Sequence, residues 1–82
     1  MKIYTVSELT EALQDLLEEH YTSVWISGEI SNFKAHHSGH FYFRLKDENA
    51  IIEAAMFRGQ NSKLKFRPEE GLAVLCNGDI TF

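Results

Sequence analysis

Between His40 and Lys46 apolar and polar side chains alternate without a break. Phe41, Phe43 and Leu45 fall on one side, and His40, Tyr42, Arg44 and Lys46 on the other. A period of two is what a half-buried β-strand requires, so this run sets a strand at the centre of the chain. The segment before it, Val24 to Lys34, is long and rich in β-formers, and Gly28 in its middle predicts a bulge or bend. Ala35 to Gly39 reads as a turn and Asp47-Glu48-Asn49 as a tight hairpin connection. Ala50 to Phe57 reads as a third strand, with Ile52, Ala54 and Met56 along one face.

The flanks are different in kind. Thr5 followed by Glu8 is a capping-box pattern, and Tyr4 with Leu9 fits a hydrophobic staple. Leu9, Ala12, Leu13, Leu16 and Leu17 then repeat at helical spacing, with Glu11, Asp15, Glu18 and Glu19 off that stripe. A helix is expected over about 5–20. Gly59 to Phe66 predicts a short helix, which Pro68 and Gly71 end. Leu72 to Phe82 begins a fourth strand. No repeat, linker or low-complexity segment interrupts the chain, and 1–82 reads as one domain.

A helix, three meandering strands, a short helix and a strand give a mainly β chain with an N-terminal helix. A helix between strands three and four, with a bent first strand, points to a five-stranded Greek-key barrel of the OB type. No room is left for a fifth strand. The expectation is a barrel truncated within or after strand four, as a fragment of a longer polypeptide or one completed by another chain. Its open edge would offer unpaired backbone groups.

With 82 residues the core must be thin, since a chain of this size buries only about 60–65% of its unfolded surface. No apolar run approaches the ~20 residues of a membrane span. Thr5 to Glu11 is polar and acidic, unlike a secretory signal. The single Cys76 precludes an internal disulfide and fits a reducing compartment, so a cytoplasmic location is expected.

The net charge of −4 argues against nucleic acid until its distribution is considered. Residues 1–32 carry Lys2 against Glu8, Glu11, Asp15, Glu18, Glu19 and Glu29. Residues 33–67 carry Lys34, Arg44, Lys46, Arg58, Lys63, Lys65 and Arg67 against only Asp47, Glu48 and Glu53. Phosphate affinity follows local cation density, so the middle of the chain remains a candidate for weak, salt-sensitive anion binding.

Aromatic faces stack on nucleobases and interleaved cations neutralise phosphates, a pattern suited to single-stranded nucleic acid. Strand two supplies it with Tyr42, Arg44 and Lys46, and the same residues equally describe an ordinary amphipathic strand. Trp25 reads as packing. Phe33, beside Lys34 at a loop mouth, reads as stacking. Phe57 with Arg58 repeats the aromatic–cation pairing, and packing under the short helix is its equal alternative. Lys63, Lys65 and Arg67 read as a solvated face or as non-specific phosphate attraction. The acidic helix face is solvated, or docks on a basic partner. His36, His37 and His40 do not read as a zinc site, since the first two are adjacent in a flexible turn with no Cys and no convincing carboxylate partner. His40 orders the turn or donates to phosphate, and Cys76 is a small buried hydrophobe.

W-I-S-G-E-I-S-N-F (25–33), S-G-H-F-Y-F-R-L-K-D (38–47) and A-A-M-F-R (54–58) together resemble the N-terminal domain of exodeoxyribonuclease VII large subunits. Y-T-V-S-E-L-T (4–10) and F-R-P-E-E-G (66–71) fit the same family, so the resemblance covers nearly the whole chain in order. It implies an OB-fold domain that binds single-stranded DNA and presents it to a nuclease domain elsewhere in the subunit. It also implies a small-subunit partner and degradation of single-stranded DNA to oligonucleotides. Glu53 departs from the family, where a basic or neutral residue is more usual, and would weaken the phosphate track.

The expected nucleic-acid contacts are Phe33, Lys34, His40, Tyr42, Arg44, Lys46, Phe57 and Arg58. No catalytic residue, metal site or cofactor is expected within the chain. Glu29, Asp47, Glu48 and Glu53 are scattered and form no hydrolytic centre. The rival readings are an assembly module, docking other subunits or a second copy through the open sheet edge, and an RNA-binding OB domain like the anticodon-binding part of a tRNA synthetase.

Overall fold

A computed structural model describes all 82 residues. The order is α1 (Val6–His20), β1 (Val24–Ala35), β2 (Phe41–Lys46), β3 (Ile51–Met56), α2 (Arg58–Asn61) and β4 (Ala73–Gly78). The strands form one sheet in the order β3-β2-β1-β4, so β3 and β4 are its edges. This is an N-terminal helix followed by a four-stranded sheet of OB type, as the alternation and element order predict. No helix is long and apolar enough to cross a membrane.

Two compact units divide the chain, Met1–Ile26 with Cys76–Phe82, and Ser27–Leu75. In the first, the Thr5 hydroxyl accepts the Glu8 N–H at 3.1 Å while the Glu8 carboxylate accepts the Thr5 N–H at 3.1 Å. Two of the donors that a helix start leaves orphaned are thereby satisfied, which sets the entry to α1. The Tyr21 N–H closes the other end on the Leu17 carbonyl. No residue of α1 is buried: Leu13 and Leu17 are half-covered and Leu9 and Leu16 exposed. Ser23, at φ 52°, donates its N–H to Asp79, and the Ile80 N–H reaches the Tyr21 carbonyl. Trp25 is 68% exposed, so the packing role expected for it is not what the fold gives. Cys76 is half-buried, and burial pushes its thiol pKa up.

The second unit holds the best-covered side chains, Ile30 at 3% and Leu45 at 5% exposure, which face each other across β1 and β2. The β2–β3 hairpin is continuous from Phe41↔Met56 to Lys46↔Ile51. Its turn is tied by Asp47, whose carboxylate accepts the N–H groups of Asn49 (2.8 Å) and Ala50 (2.9 Å). Those two bonds favour the ionised form and hold the Asp47 pKa below its ordinary value.

The break in β1 is not at Gly28. Pairing with β2 runs regularly through Ser31↔Arg44 and resumes at Lys34↔Tyr42, so Asn32 and Phe33 together oppose Phe43. Asn32 takes φ 51°, the left-handed region that Asn tolerates better than most side chains. Gly28 serves another purpose. A Cβ there would stand 3.2 Å from the Lys46 carbonyl oxygen, so its small size lets β2 approach. The short helix expected within Gly59 to Phe66 is a single turn that starts one residue earlier, over Arg58–Asn61, and β4 ends at Gly78.

Candidate nucleic-acid interface

Directly paired residues of an antiparallel sheet share a face. Pairing therefore lays three rows across one side of β1, β2 and β3: Lys34–Tyr42–Ala55, Ser31–Arg44–Glu53 and Glu29–Lys46–Ile51. The opposite side carries Ile30–Leu45–Ile52 and Ala35–Phe41–Met56, with Phe43 and Ala54 between them. Tyr42, Arg44 and Lys46 thus stand together on one face, as alternation predicts.

The rows are not alike electrically. Arg44 Nε donates to Glu53 at 2.8 Å, so the central row is an ion pair and not a free cation. Lys46 shares its row with the Glu29 carboxylate. Lys34, by contrast, lies beside Tyr42 with only Ala55 beyond, and Tyr42 is 41% exposed. Cationic character is concentrated at the Tyr42 end.

That end is also the aromatic one. The His36 ring meets Tyr42 edge-on at 5.9 Å, and His40 meets Tyr42 at 6.4 Å and Phe57 at 5.4 Å, each near perpendicular. Phe57 is 57% exposed. Two turns build this cluster. In the β1–β2 turn, the His36 N–H bonds the His40 carbonyl at 2.9 Å, and the Ser38 hydroxyl accepts the His40 N–H while lying 2.8 Å from His36 Nδ1. In the turn after β3, the Arg58 N–H donates to His40 Nδ1 at 2.9 Å and the Asn61 amide donates to the Gly39 carbonyl. Gly39 is required there: its φ is 91°, and a Cβ would stand 2.7 Å from Arg58 Cδ.

Of the eight expected contacts, Lys34, Tyr42, Arg44 and Lys46 share the paired face, and His40, Phe57 and Arg58 gather at its Tyr42 end. Phe33 does not join them. The extra residue at Asn32 turns it to the other side, where it lies 5.1 Å from Phe41 and 6.3 Å from Phe43. There Phe33 and Phe41 line an open cleft of about 580 Å³ with Leu64, Lys65, Phe66 and Arg67. His36 and Asn61 are the residues that sequence reasoning missed. Along the chain His36 reads only as a candidate metal ligand, and nothing signals that Asn61 would reach back to Gly39. No group of three or more His, Cys, Asp or Glu side chains gathers to hold a metal ion.

An antiparallel sheet of this order, with aromatic and cationic side chains on β2 and its flanking turns, defines an oligonucleotide-binding type of module. Residues 4–82 match the family described as OB-fold nucleic acid binding domain, and the chain belongs to that family. It is 54% identical over 81 residues to the exodeoxyribonuclease 7 large subunit of Halothermothrix orenii, covering 96% of this chain and 20% of that protein. It is 53% identical over 79 residues to the same subunit of an Enterobacter species, and 54% identical over 79 residues to that of Bacillus cytotoxicus. The chain spans about a fifth of the length of the curated relatives it matches.

Proposed function

We propose that this chain is a single-stranded DNA-binding domain that presents DNA to a nuclease, working with little sequence preference and in the cytoplasm. The observation that carries the reading is the coincidence of aromatic and cationic groups at one end of the paired face. Tyr42 and Phe57 offer ring surface; Lys34 pairs with Tyr42 across the strands, and Arg58 follows Phe57 with its side chain against Gly39. Stacking reads any base through its π-face, and such cations attract any phosphate, so the surface suits a flexible single strand better than a duplex. Lys46 and Arg44 extend the track more weakly, because carboxylates share their rows. Phe33, on the opposite side, contributes to DNA only if the strand wraps over the rim into its cleft.

The relatives are named as large subunits of an exodeoxyribonuclease, and this chain supplies binding in such a subunit, not hydrolysis. Partnership with a small subunit belongs to the same proposal. A second reading, pairing of two copies along a sheet edge, is favoured by Ile51 and Ile52 on edge strand β3, at 62% and 40% exposure.

Fluorescence anisotropy of a labelled oligo-dT, titrated with this chain at low and then moderate salt, tests the main reading. Saturable binding that weakens steeply with salt, with duplex bound less well, is the expected result. No binding at low salt sinks it. A concentration-dependent rise in mass by light scattering without oligonucleotide binding favours edge pairing instead.

A further inference from the structure

His40 is placed to do something other than donate charge. Its Nδ1 accepts the Arg58 backbone N–H at 2.9 Å, so the neutral ring carries its proton on Nε2. His36 follows the same rule: its Nδ1 accepts the Ser38 N–H at 3.1 Å, which leaves the Nε2–H edge for solvent or ligand. A cationic imidazole at residue 40 would need a proton on Nδ1, pointing at the Arg58 N–H. The bond to Arg58 also joins two segments eighteen residues apart, the β1–β2 turn and the turn that starts α2. The amide of Asn61 on the Gly39 carbonyl, the Arg58 side chain against Gly39 and the His40 ring edge-on to Phe57 are further ties between them.

Resting on the nucleic-acid reading above, we propose that His40 is a positioning residue. Through Nδ1 it holds Phe57 and Arg58 beside Tyr42, so that ring and cation act on one nucleotide unit as a set, and the imidazole itself serves as a neutral Nε2–H group. The alternative role, a cationic or direct phosphate contact, would depend on Nε2 and not on Nδ1.

Asparagine and glutamine separate the two. The amide oxygen of His40→Asn falls where Nδ1 stands, whereas His40→Gln reaches the Nε2 position. His40→Asn is expected to bind oligo-dT within about threefold of wild type, and His40→Gln to fall about tenfold, close to His40→Ala. Nitrogen-15 NMR of the wild-type chain is expected to show a proton on His40 Nε2 and a bare Nδ1. Amide exchange at Arg58 is expected to stay slow in His40→Asn and to quicken in His40→Gln. A proton on Nδ1, or Gln binding like wild type while Asn binds like Ala, overturns the proposal. So does wild-type affinity in all three variants. Should the wild-type chain bind no oligonucleotide, the functional reading falls, while the NMR signal and Arg58 exchange still decide the tie.

Discussion

Phe33 meets Phe41 edge-on, with ring centroids 5.1 Å apart and planes at 66°, on the side of the sheet away from Tyr42. Two aromatic residues that read alike along the chain therefore lie on opposite sides of the sheet. Phe33→Ala is expected to cost about 2 kcal/mol of stability, roughly half the figure for a fully buried ring, because Phe33 is only half-covered. Tyr42→Ala is expected to leave the denaturation midpoint nearly unchanged and to cost ~1–3 kcal/mol of oligonucleotide binding. Urea titration and anisotropy on the two variants give the crossed pattern. An unchanged dissociation constant in Tyr42→Ala refutes its role as the stacking residue.

Breaking the Arg44–Glu53 pair should strengthen binding. Both side chains are substantially solvent-exposed, so the pair is worth about 0–1 kcal/mol of stability and Glu53→Gln should fold normally. The released guanidinium adds a phosphate contact. The slope of log affinity against log salt should then steepen by about 0.7, the increment for one phosphate on a single strand. A slope equal to that of wild type would show that Arg44 stays out of the phosphate track.

Gly39→Ala is expected to destabilise by roughly 1–2 kcal/mol, since an L-residue pays about that much in the left-handed region. It should also weaken DNA binding, because the new methyl displaces the Arg58 side chain that now occupies its place. Thermal melts and anisotropy together read both effects.

Acid should loosen the β2–β3 turn. The Asp47 pKa is lowered by the Asn49 and Ala50 N–H groups, so its folded value lies below its unfolded one. Stability from a depressed carboxylate is fully present above the unfolded pKa and is lost as pH falls through the folded pKa. The loss should therefore begin near the ordinary value of 3.8 and finish below it. Asp47→Asn, already uncharged, should show a flatter stability profile across that window. Equal profiles would remove Asp47 from the acid response.

The capping box is a local and separable term. Thr5→Ala removes the acceptor for the Glu8 N–H and is expected to cost about 1 kcal/mol, read as reduced helicity by circular dichroism. DNA binding should be unaffected.

What could be read from residues alone was whatever local pattern dictates. Thr5 and Glu8 state the start of α1, and the alternation of His40–Lys46 states both a strand and which of its residues share a side. Gly28 misled because two demands, a bulge and a close backbone approach, both select glycine, and here the second applies. The bulge falls instead on Asn32, which tolerates φ above zero better than most side chains but, unlike glycine, is not a residue that marks a bulge by itself. The Arg44–Glu53 pair was invisible for a different reason. It depends on register across two strands, and no periodicity within one strand reports register. The tie between His40 and the Arg58 amide is longer in range still, since a backbone N–H carries no sequence signature at all.

The extra residue at Asn32 has a consequence for how the chain tolerates change. Ser31 and Phe33 are two positions apart and in an unbroken strand would look the same way. Here they look opposite ways. Removing Asn32 would restore unbroken alternation with Ser31 and Lys34 still on the polar side and Phe33 still opposite Phe43, whereas moving the extra residue to the far side of Phe33 would carry Phe33 out of its contact with Phe41 onto the polar side. Between Ser31 and Lys34, then, it is where the extra residue falls, and not the length alone, that decides which side Phe33 takes.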